Sequence, residues 1–152
     1  MNKIQLSYVA GFFDGEGSIN ILKVIRKRQK APEYTLMVAI GQKDGKTLDW
    51  LSDNFGGNVY LVKRDGSFYW AISNRKAEKL LRQLLPYLQY KKPQAELALT
   101  IYDEMPKRTR FMTQSEIERR EGIRNKMMEL HKTIIQSRCM GSTTKRVNPK
   151  GM

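Results

Sequence analysis

Glu16 closes a run unlike the rest of the chain: Tyr8-Val9-Ala10-Gly11-Phe12-Phe13-Asp14-Gly15-Glu16-Gly17. Wound as a helix, the run and the residue before it place Ser7, Gly11 and Gly15 four apart, on one stripe. A stripe without bulky side chains lets two helix backbones approach closely, so it can pack against a copy of itself. Ser7, Gly11 and Gly15 are therefore expected at a homodimer interface. Tyr8, Val9, Phe12 and Phe13 lie on the other side and offer apolar area to anchor the helix in its own core. Two such helices packed together bring two Glu16 carboxylates near one another. The pair repels unless cations stand between, which is the chemistry of a divalent-metal site.

The remaining composition narrows the alternatives. A single cysteine, Cys139, excludes an intrachain disulfide framework and a cysteine-built zinc site. With His131 the one histidine, a His-based triad is nearly excluded too, leaving carboxylates, lysines, polar side chains and a hard metal. The 152 residues are 40% hydrophobic, enough to build a core. Lys plus Arg number 28 against 15 for Asp plus Glu, a formal charge of +13 that points to a polyanion. Nucleic acid is favoured over a membrane surface. No run approaches the roughly 18 apolar residues of a span, and Met1-Asn2-Lys3-Ile4-Gln5-Leu6 lacks the apolar core of a signal peptide. An intracellular setting, cytoplasm or organelle, is the expectation.

The elements that must position Glu16 follow from periodicity. Ser7 can cap a helix from Tyr8 to about Asp14, broken by Gly15, Glu16 and Gly17. Ser18 to Arg28 reads as a strand that turns basic, followed by a basic loop to Pro32. Tyr34 to Gln42 alternates, with Leu36, Val38 and Ile40 on one face and Thr35, Met37 and Ala39 on the other, as in a half-buried strand. Asp44 or Thr47 starts a helix bearing Leu48, Leu51 and Phe55, stopped at Gly56-Gly57. Val59 to Lys63 and Phe68 to Ser73 form a hairpin across Arg64-Asp65-Gly66-Ser67. Asn74 caps a helix with Ala77, Leu80, Leu81 and Leu84 inward, ended by Pro86. The order is α-β-β-α-β-β-α. Pro93 then opens a helix that stops at Pro106. Thr113-Gln114-Ser115-Glu116 is a capping box opening a long charged helix with Met127, Leu130 and Ile134 inward. From Arg138 onward the tail has no acidic residue and is basic enough to lie on phosphates. The expected fold class is α+β, with residues 1–112 as the core and 113–152 as a C-terminal helix and tail of the same domain.

The run Val9-Ala10-Gly11-Phe12-Phe13-Asp14-Gly15-Glu16-Gly17 resembles the signature of the LAGLIDADG homing endonucleases. Gln42-Lys43 at a strand end and Lys91-Lys92-Pro93-Gln94-Ala95 at a helix start strengthen the likeness, as does the order of elements. One copy of the motif resembles the homodimeric branch. The resemblance implies that Glu16 and the Gly15 carbonyl hold Mg²⁺, with Mn²⁺ or another divalent cation possible. It places Gln42, Lys46 and Lys91 around the scissile phosphate. Two departures stand: Glu16 where many members have Asp, and Lys46 where Arg is common.

The resemblance also implies a sheet lying in the major groove of double-stranded DNA, two protomers covering successive turns. Strand alternation then assigns Thr35, Met37 and Ala39 to the DNA side, with Asn20, Arg26, Arg28, Lys63, Arg64 and Trp70 as further contacts. On the first strand Leu22 and Val24 share the face of Asn20, so its facing is open and a bulge could intervene. Thr144, Lys145 and Arg146 of the tail would contact the backbone. The expected function is a homodimeric, metal-dependent DNA endonuclease cutting both strands of a long pseudo-palindromic site. The alternatives are an intron maturase or regulator that binds RNA or DNA on the same fold, and a small basic ribonucleoprotein component.

Overall fold

The structure is a computed structural model that describes residues 1–27, 29, 31–103 and 112–140, the last seven of these without side chains. Arg28, Thr144, Lys145, Arg146 and the expected stop at Pro106 lie outside the described residues. The elements run α1 (Lys3–Glu16), β1 (Gly17–Val24), β2 (Glu33–Gln42), α2 (Lys46–Phe55), β3 (Asn58–Val62), β4 (Ser67–Ser73), α3 (Asn74–Leu84), α4 (Lys92–Asp103) and α5 (Gln114–Met140). This is the α+β order the periodicity implies. The four strands form one antiparallel sheet in the order β1-β2-β4-β3, with the helices against one face.

Helix α1 begins earlier than Ser7 suggests. Asn2 caps it: the Asn2 side chain accepts from the Gln5 amide at 2.8 Å, and the Gln5 side chain accepts from the Asn2 amide at 3.0 Å. This reciprocal pair satisfies two amides that the helix itself leaves unbonded. Ser7 instead sits within the helix and donates to the Lys3 carbonyl at 2.9 Å. At its other end α1 runs through Gly15 and Glu16 before the chain leaves directly as β1.

Gly17 makes that junction possible. Its φ of −77° is open to any residue, so the reason for glycine is space. A Cβ there would stand 2.6 Å from the Phe13 carbonyl oxygen and run into the Phe13 ring, which is fully buried. Neither the backbone nor a packed ring can give way cheaply. Gly17→Ala is expected to cost about 3 kcal/mol of unfolding free energy, read from the urea midpoint at unchanged slope.

The pairing of β1 with β2 is continuous from Gly17 opposite Ile40 to Val24 opposite Glu33. No bulge intervenes, which settles the facing of the first strand. Ile19 and Ile21 point to the helices, and Ser18, Asn20, Leu22 and Val24 to the outer face. The inner face, with Leu36, Val38, Ile40, Trp70 and Ile72, meets Val9, Ala10 and Phe13 of α1, Leu48 and Leu51 of α2, and Leu80, Leu81 and Leu84 of α3. Each large side chain buried this way contributes roughly 1.5–3 kcal/mol before conformational entropy is subtracted.

Helix α5 closes the layer over α4 and β1 with Ile123 and Met127. Glu121 fixes it to the sheet: it accepts from the Tyr34 hydroxyl and pairs with Lys23 at 2.7 Å, contacts that hold its carboxyl below the usual range. Only half of the expected capping box forms. Thr113 Oγ1 accepts from the Glu116 amide at 3.2 Å, while the Glu116 side chain turns to Arg119 and Arg120. Asn74 does not cap α3 from outside; it is the first residue of the helix, at φ 55°, and Ser73 takes the cap position without a side-chain bond.

Candidate active site and nucleic-acid face

The last turn of α1 is exposed. Gly15 and Glu16 are both in solvent, and among the described residues no hydrogen bond or ion pair engages the Glu16 carboxylate. A free acid at the negative end of a helix dipole is an unfavourable local arrangement that a bound cation would relieve. The sheet brings polar company. Gly17 sits opposite Ile40, so Gln42, two residues on, lies at the same end of the sheet as Glu16. Gln42 is half-buried and has the inward parity of Leu36, Val38 and Ile40.

Lys91 reaches this end through Asp14. The Asp14 carboxylate accepts the backbone amides of Gln89, Tyr90 and Lys91, and Lys91 Nζ donates to the Asp14 carbonyl at 2.6 Å. Glu16, Gln42 and Lys91 are thereby gathered where α1 ends and the sheet begins. Lys46 is placed differently. It lines a groove of about 540 Å³ with Ile4, Gln5, Tyr8, Thr47 and Trp50, beside the N-terminal half of α1. It opens α2 four residues after Gln42, and no described contact joins it to Glu16, Gln42 or Lys91.

The small-residue stripe faces outward. Ser7, Gly11 and Gly15 are exposed, and a Cβ added at Gly11 or Gly15 would meet nothing within 4 Å. Among the described residues nothing packs against the stripe. Tyr8 does not anchor α1 as expected; it is 58% exposed, beside Ile4 at 80%, and edges against the Trp50 ring. Val9, Ala10 and Phe13 do the anchoring.

The outer sheet face carries Asn20, Thr35 and Met37 as expected, in cross-strand rows that continue onto β4 and β3. Two assignments need correction. Trp70 is 1% exposed, turned to the core with its indole N–H donated to the Gly56 carbonyl at 2.9 Å. It cannot stack on a base. Ala39 has the outward parity but no accessible surface, because its small side chain is closed over between Ser18 on β1 and Ala71 on β4. The residues that do present on this half of the sheet are Tyr69, Ser73, Asn58 and Tyr60, with Tyr69 opposite Tyr60. The alternation Tyr69-Ala71-Ser73 against Phe68-Trp70-Ile72 is the signal that finds them. Burial raises the Tyr69 phenol, which stays neutral and able to donate.

At the sheet margins Arg26 is exposed and paired with Glu33 at 3.1 Å, the one acid on the outer face among the described residues. Lys63 and Arg64 stand in solvent on the β3–β4 turn, where Gly66 adopts φ 70°. His131 is not a plain surface residue. It is half-buried against β1, and burial lowers its pKa, opposed by a hydrogen bond to the Ile19 backbone and reinforced by the positive charge of Lys91. No group of three His, Cys, Asp or Glu side chains that could hold a metal exists among the described residues. Glu16 fits a cation site only when further oxygens come from outside this chain.

The sequence matches the LAGLIDADG endonuclease family over residues 9–103, from α1 through α4. The chain belongs to this family. It is 32% identical over 108 residues to DNA endonuclease I-CreI of Chlamydomonas reinhardtii, covering 69% of this chain and 66% of that protein. It is 26% identical over 110 residues to DNA endonuclease I-CvuI of Chlorella vulgaris, covering 69% of this chain and 68% of that one. The matched segments thus span about two thirds of each of these relatives. The crystal structure of I-CvuI with its target in the presence of Ca superposes with a TM-score of 0.74 at 25% identity, over 84% of this chain and 82% of that one. The archaeal intron-encoded homing endonuclease I-Vdi141I, complexed with DNA, shares the fold at a TM-score of 0.70 and 15% identity, over 83% of each chain. In this LAGLIDADG chain no described helix is long and apolar enough to cross a membrane.

Proposed function

We propose that this LAGLIDADG chain is a site-specific DNA endonuclease that works as a homodimer with a divalent metal, Mg²⁺ first among candidates. Residues 1–112 form its core and 113–152 its C-terminal extension. The observation that carries the reading is the state of Glu16. It is an exposed carboxylate, unpartnered among the described residues, at the end of a helix whose small-residue stripe is also open, next to a sheet face that carries a single acid among those residues. The relatives I-CreI and I-CvuI are DNA endonucleases, and I-CvuI has been seen on DNA with Mg and with Ca. A sheet of this shape presents side chains to the major groove, where base pairs are distinguishable. Two copies related by a twofold would read a pseudo-palindrome.

Glu16 and the Gly15 carbonyl would hold the cation together with phosphate oxygens of the duplex and the acid of the second copy. A divalent ion bound there supplies a water of lowered pKa and neutralises charge on the phosphate. Gln42 orients a water at the end of β2 through its amide, which can both donate and accept. Lys91 contributes fixed positive charge from behind α1. Lys46, four residues after Gln42 at the start of α2, adds positive charge near the scissile phosphate, and Arg26, Lys63 and Arg64 add to the field around the duplex.

The test is to incubate the protein with Mg²⁺ and a randomised duplex library and to sequence the ends produced. Paired ends related by a twofold, absent with EDTA, are the expected result. Ends no more frequent than in the EDTA control, from a protein that elutes as a monomer, would reject the proposal.

A further inference from the structure

The last turn of α1 is tied to the chain just before α4 by bonds between residues 75 to 77 positions apart. Asp14 Oδ2 accepts the amides of Gln89 at 2.7 Å and Tyr90 at 3.2 Å, and Oδ1 accepts that of Lys91 at 2.8 Å. Lys91 Nζ returns a bond to the Asp14 carbonyl at 2.6 Å. Each amide bond to an ionised carboxylate is charge-assisted and stronger than a neutral one. Lys91 is 7% exposed while Lys92 beside it lies in solvent. A lysine buried so far needs compensating oxygens, and the helix carbonyl it meets belongs to the negative end of α1. Its ammonium is therefore held two residues from Glu16 and is shielded from direct contact with a phosphate.

We propose that Asp14 is a positioning residue of the cleavage site. It clamps residues 89–91 so that the Lys91 ammonium is locked beneath the α1 terminus and the Gly15–Glu16 tip is held in one place. This assignment rests on the nuclease reading above. The two carboxylates of the motif thus have separate tasks: Glu16 faces outward to the reaction, and Asp14 faces inward to hold it in register.

Amine acetylation of the full chain by an N-hydroxysuccinimide ester, resolved by site in peptide mass spectra, tests the clamp without DNA. Lys92 is the internal reference. In the wild type, Lys91 should react several-fold more slowly than Lys92. In Asp14→Ala the two should react alike, and Asp14→Asn, which keeps an acceptor oxygen, should fall between. In parallel, Asp14→Ala should slow cleavage of the library-selected duplex by about a hundredfold with little change in duplex affinity measured in EDTA, and Asp14→Asn should recover part of the rate. Lys91 shielded in both variants, or exposed with wild-type cleavage, overturns the positioning role alone. Affinity and rate falling together in Asp14→Asn overturns it as well, since that marks general loss of structure. If Asp14→Ala does not fold, Asp14→Asn carries both readouts. A wild type that cleaves no duplex overturns the nuclease reading and this role with it.

Discussion

Glu16→Gln is expected to lower DNA cleavage by about 10³-fold, the scale of losing a charge that acts mainly in the transition state, while duplex affinity changes little. The substitution keeps the shape of the side chain and removes its negative charge. Nothing in the protomer depends on that charge, because Glu16 is exposed and engaged by no described hydrogen bond or ion pair. The fold should therefore be unaffected, and unfolding in urea should superimpose on the wild type. Binding should persist because the proposed DNA contacts lie on the outer sheet face and its basic margins, with Arg26, Lys63 and Arg64 as the proposed phosphate contacts. The measurement is a pair: single-turnover cleavage with saturating Mg²⁺, and duplex affinity in the absence of metal. Wild-type cleavage by the variant would remove Glu16 from the site.

Gly11→Leu should act on the assembly and spare the protomer. A Cβ at this position meets nothing within 4 Å, so the added side chain projects into solvent in an isolated chain. Leucine is also the better helix former, by somewhat under 1 kcal/mol. If two copies abut along Ser7, Gly11 and Gly15, the same side chain is inserted twice at a twofold contact. Overpacking at roughly 1–3 kcal/mol per site then weakens the dimer by roughly 30-fold to 10⁴-fold. Sedimentation should show a dimer becoming a monomer with unchanged circular dichroism, and double-strand cleavage should fall with it. A Gly11→Leu protein that stays dimeric would place the interface elsewhere. The two substitutions report on different links, since Glu16→Gln leaves assembly intact and Gly11→Leu leaves the acid intact.

Much of the fold is legible in the sequence, for reasons that differ by element. The order of helices and strands follows from the switch between alternating and four-residue spacing. The stops at Gly56 and Gly66 follow from backbone angles of 77° and 70°, which favour glycine. Asn2 with Gln5 is itself a sequence-level capping pattern, and it sits ahead of Ser7, so the helix begins before the motif. The Trp70 assignment failed on parity. A strand flips its face at every residue, and Trp70 has the inward parity of Ile72 and of its cross-strand partner Ile40. Ala39 failed for another reason. Its face was right, but its closure depends on β4 lying beside β2 with β3 outside, an order no local pattern reveals. The tie between Asp14 and Lys91 was out of reach for the same cause, since it joins residues more than half the chain's element list apart.

The absence of any loop between α1 and β1 has a mechanical consequence. Glu16 is the last helical residue and Gly17 the first of the strand, and any side chain added at Gly17 would collide with Phe13. The Glu16 end of α1 and the strand bearing Asn20 are therefore joined directly. In the proposed endonuclease, a duplex seated poorly along Asn20 would be felt at Glu16 through the strand that joins them, so a mismatched site would be penalised in the chemical step as well as in binding. Discrimination of this kind needs no separate moving part.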